Sequence, residues 1–100
     1  MLRFDYLGTG FYRGNLGSDC VVGEILTEKE ECRVAATQLR MEYKGKYKSN
    51  DRPKGCYYWQ IDNTVYFNDQ NQSVARNIDS RTGGVCKRSM SYSIRYYTHR

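Results

Sequence analysis

Residues 27–39 read TEKEECRVAATQL and carry the clearest secondary-structure signal in the chain, that of an amphipathic helix. Thr27 and Glu30 stand three positions apart, as in a capping box, so we expect the helix to begin at Thr27. The apolar residues recur at helical spacing and predict one buried stripe, made of Cys32, Ala35, Ala36 and Leu39. Because alanine is small, this stripe lets the helix lie close against a sheet.

A β-hairpin is predicted downstream of the helix. Residues 56–61 and 64–68 are aromatic and β-branched runs that flank Asp62-Asn63, a pair that tolerates positive φ. A two-residue loop of this kind would place Trp59 opposite Tyr66. Because side chains alternate along a strand, Cys56 is expected on the side that the helix covers. The other side then carries an aromatic surface of Tyr57, Trp59 and Tyr66.

The segments around these elements are predicted to be mostly loops. Residues 42–55 are basic and end in turn-forming residues, and residues 69–84 are polar, with a plain turn expected at Gly83-Gly84. The sequon Asn71-Gln72-Ser73 makes Asn71 a candidate glycosylation site in a secreted protein. Upstream of the helix, residues 14–17 are expected to form a loop and residues 20–22 a short strand.

Four cysteines are spread singly along the chain, at Cys20, Cys32, Cys56 and Cys86. Zinc ligands come as close pairs, so this spacing is more typical of two structural disulfides in a small secreted domain. Four cysteines allow three pairings. We favour Cys32–Cys56, because Cys32 points inward from the helix and Cys56 opens the strand beneath it, which leaves Cys20–Cys86.

The composition indicates one domain with a small aliphatic core. Only 18 of the 100 residues are Leu, Ile, Val or Phe, but ten Tyr and Trp59 supply large side chains for burial. We therefore predict a single α+β domain over residues 1–100, with a core at residues 20–87. This domain is expected to contain one helix packed on a small antiparallel sheet of about four or five strands, with two disulfides. The sequence contains no apolar run long enough for a membrane span.

Several short motifs resemble a known kind of module. They are Glu31-Cys32-x-x-Ala35-Ala36-x-x-Leu39, Pro53-x-Gly55-Cys56-Tyr57, Val65-Tyr66-Phe67-Asn68 and Cys86-Lys87. These motifs lie within residues 20–87 and look like a short module of algal and marine-invertebrate secreted or surface proteins, similar in outline to PAN/apple domains. The resemblance implies an extracellular or cell-surface domain that recognises proteins or carbohydrates without catalysis.

The sequence does not favour an enzyme. Its only histidine is His99, one residue from the end, and no Ser-His-Asp or Cys-His set can be assembled around it with the cysteines oxidised. We expect no cofactor and no metal. The aromatic surface of Tyr57, Trp59 and Tyr66 suits stacking on sugar rings, whereas the disulfides and the sequon argue against nucleic acid as a partner.

Two patterned segments lie outside the cysteine framework. Residues 2–7 and 89–97 alternate apolar and polar side chains and are predicted to be terminal strands, with apolar positions at Leu2, Phe4, Tyr6, Met90, Tyr92, Ile94 and Tyr96. They either complete the sheet of one monomer or pair with a neighbouring copy, which builds filaments. The expected function is a non-catalytic extracellular structural or interaction module that self-assembles by exchange of terminal strands. The alternative is a monomeric PAN/apple-like domain that binds glycans or proteins.

Overall fold

The computed structural model describes residues 10–70 and 77–88, in which one helix packs on a five-stranded sheet. The helix is α1 (Lys29–Gln38), and the strands are β1 (Phe11–Leu16), β2 (Glu42–Lys46), β3 (Gly55–Trp59), β4 (Thr64–Asn68) and β5 (Thr82–Lys87). Their order across the sheet is β1-β5-β3-β4-β2. This arrangement confirms the predicted α+β class. We call the sheet face under α1 the inner face, and the opposite one the outer face.

The sheet is mixed, whereas the sequence predicted an antiparallel one. β5 pairs antiparallel with β1 and β3, and β3 pairs antiparallel with β4, but β2 runs parallel to β4. The prediction placed the residues of β2 in a basic loop because Glu42, Lys44 and Lys46 are charged. In the structure these three side chains are exposed at the sheet edge, and Tyr43 between them packs against the core. An edge strand with a single inward aromatic has too weak a hydrophobic pattern to be recognised from sequence.

The helix begins later than the sequence predicted. Glu28 is its N-cap residue and makes no capping hydrogen bond through its side chain, so the capping box at Thr27 is wrong. Leu26 directly precedes Thr27 and is fully buried in the core, so it fixes the position of the chain just before the helix. The predicted buried stripe is confirmed at Cys32, Ala35 and Ala36.

The helix ends in a Schellman motif that turns the chain back into β2. The Arg40 N–H donates to the Thr37 carbonyl at 3.1 Å, and the Met41 N–H donates to the Ala36 carbonyl at 2.8 Å. Arg40 has a φ of 61°, the left-handed conformation that this motif requires. Met41 is then buried against the core, so the turn is held by packing as well as by hydrogen bonds.

The core lies between α1 and the inner face. Its buried members are Leu26, Cys32, Ala35, Ala36, Met41, Cys56, Tyr58, Val65, Phe67 and Val85. The disulfide Cys32–Cys56 crosses this core and ties α1 to β3, and the second disulfide joins Cys20 to Cys86. Both disulfides are the ones favoured from the sequence.

The β3–β4 hairpin has a register two residues away from the predicted one. Trp59 pairs with Thr64, and Tyr57, not Trp59, pairs with Tyr66, so the loop contains residues 60–63. Asn63 adopts the positive φ, 61°, that its residue type allows. A shift of two residues leaves each side chain on its original face, because the side-chain period of a strand is two. The predicted division of the hairpin into two faces is therefore confirmed although its pairing is wrong.

β5 is a central strand in a segment predicted to be loop. It contains Gly83 and Gly84, which were expected to form a turn. A Cβ atom on Gly83 would lie 2.8 Å from the Tyr58 hydroxyl oxygen, and one on Gly84 would lie 2.6 Å from Cys20 Sγ. The two glycines thus let Tyr58 pack directly on the inner face and Cys20 on the outer face. Close approach of neighbouring side chains, not hydrophobicity, explains the sequence of this strand.

The segment before the helix also differs from its prediction. β1 extends through residues 14–16, where a loop was expected, and residues 20–22 form no strand. Residues 17–24 instead cross the outer face of β5, where Cys20 bonds Cys86. The predicted terminal strands at residues 2–7 and 89–97, and the sequon at Asn71, lie outside the described residues. Within residues 10–70 and 77–88, no helix has the length and apolarity needed to span a membrane.

Candidate ligand face on the outer side of the sheet

The three aromatic residues predicted to form a ligand face all lie on the outer face, but they differ in exposure. Tyr57 is fully buried, whereas Trp59 and Tyr66 are half-buried. The rings of Tyr57 and Tyr66 stack, with 5.5 Å between their centroids. Tyr57 therefore supports the surface from beneath, and only Trp59 and Tyr66 of the predicted set can be reached from solvent.

A loop between β2 and β3 covers Tyr57. We call residues 47–54 the crossover loop, because they connect two strands that lie on either side of β4. Arg52 in this loop places its guanidinium carbon 4.9 Å from the Trp59 ring centroid and 5.8 Å from the Tyr57 ring centroid. Its Nη1 also donates to the Tyr57 hydroxyl at 3.2 Å. The crossover loop thus covers the part of the aromatic surface that contains Tyr57.

Further side chains complete what we call the arginine–aromatic cluster, which consists of Tyr47, Arg52, Tyr57, Trp59, Tyr66 and Arg81. Tyr47 contacts Tyr66 edge to face at 6.2 Å and lies 5.0 Å from the Arg52 guanidinium. Arg81 lies 4.8 Å from the Trp59 ring centroid. Two guanidinium groups beside one indole are expected to bind its electron-rich face through cation–π contacts.

The predicted ligand face did not include three members of this cluster, namely Tyr47, Arg52 and Arg81. Tyr47 and Arg52 lay in a segment predicted as a solvated basic loop, and Arg81 in a polar loop. A signal for the two arginines does exist in the sequence. Each lies in a segment next to a strand whose aromatic face is not covered by the helix. That signal becomes specific only when the strand order places both segments beside Trp59.

Both guanidinium groups of the arginine–aromatic cluster have a carboxylate partner. Arg81 bonds Asp79 at 2.8 Å, and this hydrogen bond lowers the pKa of Asp79 to about 2. Arg52 Nε lies 3.5 Å from Asp51 Oδ1. The face therefore offers aromatic rings with locally paired charges, a chemistry that suits a neutral polar ligand or a protein surface better than a polyanion.

Asn68 fastens the crossover loop to the sheet. Its side-chain amide is 1% exposed and donates to the carbonyl oxygens of Ser49, Arg52 and Pro53 at 2.9, 3.2 and 3.0 Å. Its Oδ1 accepts from the backbone N–H groups of Ser49 and Gln70. One buried side chain thus satisfies five backbone groups of the segments around it, which is why the loop can close over Tyr57.

The Asn68→Ala substitution is expected to lower the free energy of unfolding by about 2–3 kcal/mol, because it leaves buried backbone groups without partners. Asn50→Ala removes an exposed side chain of the same loop and is expected to cost less than about 0.5 kcal/mol. Urea unfolding of both variants provides the measurement. Equal losses in the two variants would contradict the role assigned to Asn68.

Tyr57 makes stability sensitive to alkaline pH. Burial raises its pKa to about 12, although the hydrogen bond from Arg52 acts in the opposite direction. The unfolded chain ionises tyrosine near about pH 10, so the stabilising contribution is complete below that pH and is lost as the pH rises towards 12. We expect the free energy of unfolding to fall more steeply between pH 10 and 12 in the wild type than in Tyr57→Phe. Parallel pH curves would contradict this assignment.

A concavity lies between the start of α1 and β2 on the helix side of the sheet. It has a volume of about 370 Å³ and is lined by Lys29, Glu30, Arg33, Tyr43, Gly45 and Lys46. Arg33 bonds Glu30 at 2.9 Å within this groove, and Lys46 pairs with Asp69. These two cations already have carboxylate partners, whereas the Tyr43 hydroxyl is buried and has no hydrogen-bond partner among the described residues. Within the described ranges, no three His, Cys, Asp or Glu side chains converge on a possible metal position.

Comparison of this chain with protein-family models, with curated proteins and with solved structures found no match. The resemblance of the cysteine-anchored motifs to PAN/apple-like modules therefore stays a prediction.

Proposed function

We propose that this chain is a non-catalytic extracellular structural or interaction module that self-associates through its terminal segments. The supporting observation is the place where those segments leave the fold. The Arg88 N–H donates to the Gly10 carbonyl at 2.7 Å, at the end of the β1–β5 pair. Residues 1–9 and 89–100 thus start from paired positions at one corner of the sheet, and both carry an alternating pattern.

The proposed contact is strand addition, in which a terminal segment of one copy pairs with strands of the next. Of the described strands, β1 and β2 lie at the two edges of the sheet. The β2 edge carries Glu42, Lys44 and Lys46, and its pairing is interrupted between Tyr43 and Gly45, features that protect an edge from further pairing. The corner at β1 and β5 is the more favourable place. A head-to-tail contact there does not close on itself and builds a filament.

The absence of catalysis is proposed from the reactive groups available. All four cysteines form disulfides, so none is a thiolate nucleophile. The only histidine of the sequence, His99, lies outside the described residues. The two disulfides also support the proposed extracellular location, because such bonds persist in oxidising compartments.

The oligomeric state tests the proposal. Light scattering coupled to size exclusion, followed by negative-stain microscopy, is applied to the full chain and to a chain that lacks residues 89–100. We expect the full chain to associate with rising concentration and the shortened chain to be a monomer. Two monomers would overturn self-association, and urea unfolding of the shortened chain verifies that the body is folded.

A second candidate function, recognition of a glycan, is supported by the half-buried rings of Trp59 and Tyr66 and the 48% exposure of Tyr47. A sugar that stacks on Trp59 would have to compete with the guanidinium groups of Arg52 and Arg81. Trp59→Ala is expected to abolish binding on a glycan array, while Ile61→Ala, an exposed neighbour on the hairpin loop, retains it. Absence of array binding by the wild type would remove this candidate.

A further inference from the structure

Tyr43 carries a buried hydroxyl group that the described part of the fold leaves without a partner. Tyr43 lies in β2 and packs against the core, and its hydroxyl oxygen makes no hydrogen bond to any described residue. By contrast, the hydroxyls of Tyr12, Tyr57 and Tyr58 each form a hydrogen bond. Burying a polar atom without a partner costs free energy, so such an atom in a folded protein requires an explanation.

The side chain of Tyr43 lines the groove between α1 and β2, together with Glu30, Arg33 and Lys46. Burial raises the pKa of Tyr43, and the charges of the same three residues also act on that pKa, so these charges lie close to the hydroxyl. Gly45 lines the groove without a side chain. A Cβ atom on Gly45 would meet no atom within 4 Å beyond that glycine and its two chain neighbours. The hydroxyl therefore belongs to a groove with open space along β2.

The groove has an excess of positive charge. Its lining includes three cations, Lys29, Arg33 and Lys46, and one carboxylate, Glu30. Asp69 places a second carboxylate 3.1 Å from Lys46. None of the ion pairs between described residues includes Lys29. One cation thus stays in excess, which attracts a ligand with a single negative charge, whereas the two carboxylates repel a polyanion.

The ion pair between Arg33 and Glu30 leaves room for a ligand. Only Nη2 of Arg33 donates to Glu30, at 2.9 and 3.1 Å, so its Nε and Nη1 have no partner among the described residues. The two side chains are 57% and 69% exposed, and exposed ion pairs contribute little to stability. A guanidinium group binds the two oxygens of an oxyanion through parallel N–H groups. An oxyanion in the groove can therefore join Glu30 on Arg33 or displace it.

We propose that this groove binds an acidic sugar, whose carboxylate or sulfate group lies between Lys29 and Arg33 and one of whose hydroxyls bonds the Tyr43 hydroxyl. A sugar acid supplies both of the groups that the site requires, an oxyanion for the cations and a neutral hydroxyl for the phenol. The volume of about 370 Å³ is at the lower end of the roughly 300–1,000 Å³ of small-molecule sites and suits one sugar ring. This site is separate from the arginine–aromatic cluster, and it does not depend on self-association.

Titration of the isotope-labelled full chain, followed through its amide NMR shifts, tests the class of ligand. The probes are glucuronate, galacturonate and a sulfate ester of glucose, and the controls are glucose and acetate. We expect an acidic sugar to shift the amides of Lys29 and Gly45 with a dissociation constant at least about tenfold below those of both controls. A preference for the carboxylates or for the sulfate ester identifies the anion. Equal binding of acetate, or no shift with any acidic sugar, would overturn the proposal.

Tyr43→Phe removes the hydroxyl and tests its role. Binding of the acidic sugar is expected to weaken by at least about threefold, because one hydrogen bond to the ligand is lost. The midpoint of urea unfolding should stay the same or rise, since no hydrogen bond within the protein is removed. A lower midpoint would show that the hydroxyl has a partner in the folded chain, contrary to the proposal. Tyr47→Phe, on the outer face, is the control and should leave binding unchanged.

Charge substitutions test whether the ion pair belongs to the site. Glu30→Gln removes the carboxylate that competes for Arg33, so affinity for the acidic sugar is expected to rise at least about threefold. Arg33→Gln should weaken binding at least about tenfold. The controls change the same charges outside the groove lining, at exposed positions near the two ends of α1, and are Glu28→Gln and Arg40→Gln. Equal effects of each variant and its control would assign binding to net charge and overturn the site.

The outcomes separate this inference from the proposed function. A chain that binds an acidic sugar in the groove and stays monomeric at all concentrations supports the site and contradicts self-association. A chain that assembles but binds none of the acidic sugars overturns the site and leaves self-association in place.

Discussion

Replacing Gly55 with alanine is expected to lower the free energy of unfolding by about 3–5 kcal/mol, because a left-handed conformation and a steric clash combine at this position. Gly55 opens β3 with a φ of 79°. A Cβ atom there would lie 2.4 Å from the Leu26 carbonyl oxygen and 2.8 Å from Ile25 Cγ2. The oxygen belongs to the backbone of a residue whose side chain is fully buried, so it cannot move away without disturbing the core.

The matched control for this prediction is Gly23→Ala. Gly23 has a φ of 93°, but no atom beyond Gly23 and its two chain neighbours lies within 4 Å of the added methyl group. It therefore isolates the conformational cost, which is expected to be about 1–2 kcal/mol. Urea unfolding followed by Trp59 fluorescence measures both variants. If the two substitutions lower the free energy of unfolding equally, the close packing of β3 against residues 25 and 26 does not contribute to stability.

Removing the disulfide between Cys20 and Cys86 is expected to lower the free energy of unfolding by about 4 kcal/mol. The bond joins positions 66 apart in sequence, so its loss releases a long loop in the unfolded chain. For a domain stabilised by about 5–15 kcal/mol, this loss is large enough to approach unfolding at physiological temperature. The variant is the double substitution Cys20→Ala with Cys86→Ala, which leaves no unpaired thiol.

Denaturant unfolding under non-reducing conditions checks this prediction through two quantities. The free energy should fall, and the dependence on urea should steepen, because the unfolded chain becomes more expanded without the cross-link. Cys32→Ala with Cys56→Ala is the comparison. Its loop is shorter, with a separation of 24, but both sulfur atoms lie in the inner core, so alanine also leaves a cavity there. A decrease of less than about 1 kcal/mol in the free energy of unfolding of the Cys20–Cys86 variant would contradict this prediction. It would mean that packing, and not the cross-link, holds residues 17–24 on the sheet.

The sequence predicted those parts of the fold that depend on local periodicity. The buried stripe of the helix and the two faces of the hairpin follow from side-chain spacing alone. The favoured pairing of Cys32 with Cys56 followed because each lies on the side of its element that faces the other. Even the wrong hairpin register kept the faces correct, since an even shift preserves alternation.

Strands that lack a hydrophobic pattern could not be predicted from the sequence. β2 is recognisable only from its parallel pairing with β4, and β5 only from the side chains that pack closely on Gly83 and Gly84. Both strands are stabilised by hydrogen bonds to residues distant in the sequence. Such partners leave no periodic signal in the strand itself.

The candidate site was also predictable only in part. The sequence by itself determined that Tyr57, Trp59 and Tyr66 share the face away from the helix, because alternation fixes on which side of a strand each residue lies. Only the tertiary structure decided that Arg52 and Asn68 close the crossover loop over Tyr57 and leave Trp59 and Tyr66 half-buried. Periodicity specifies the direction of a side chain, whereas the segment that covers it is selected by strand order and by long-range hydrogen bonds.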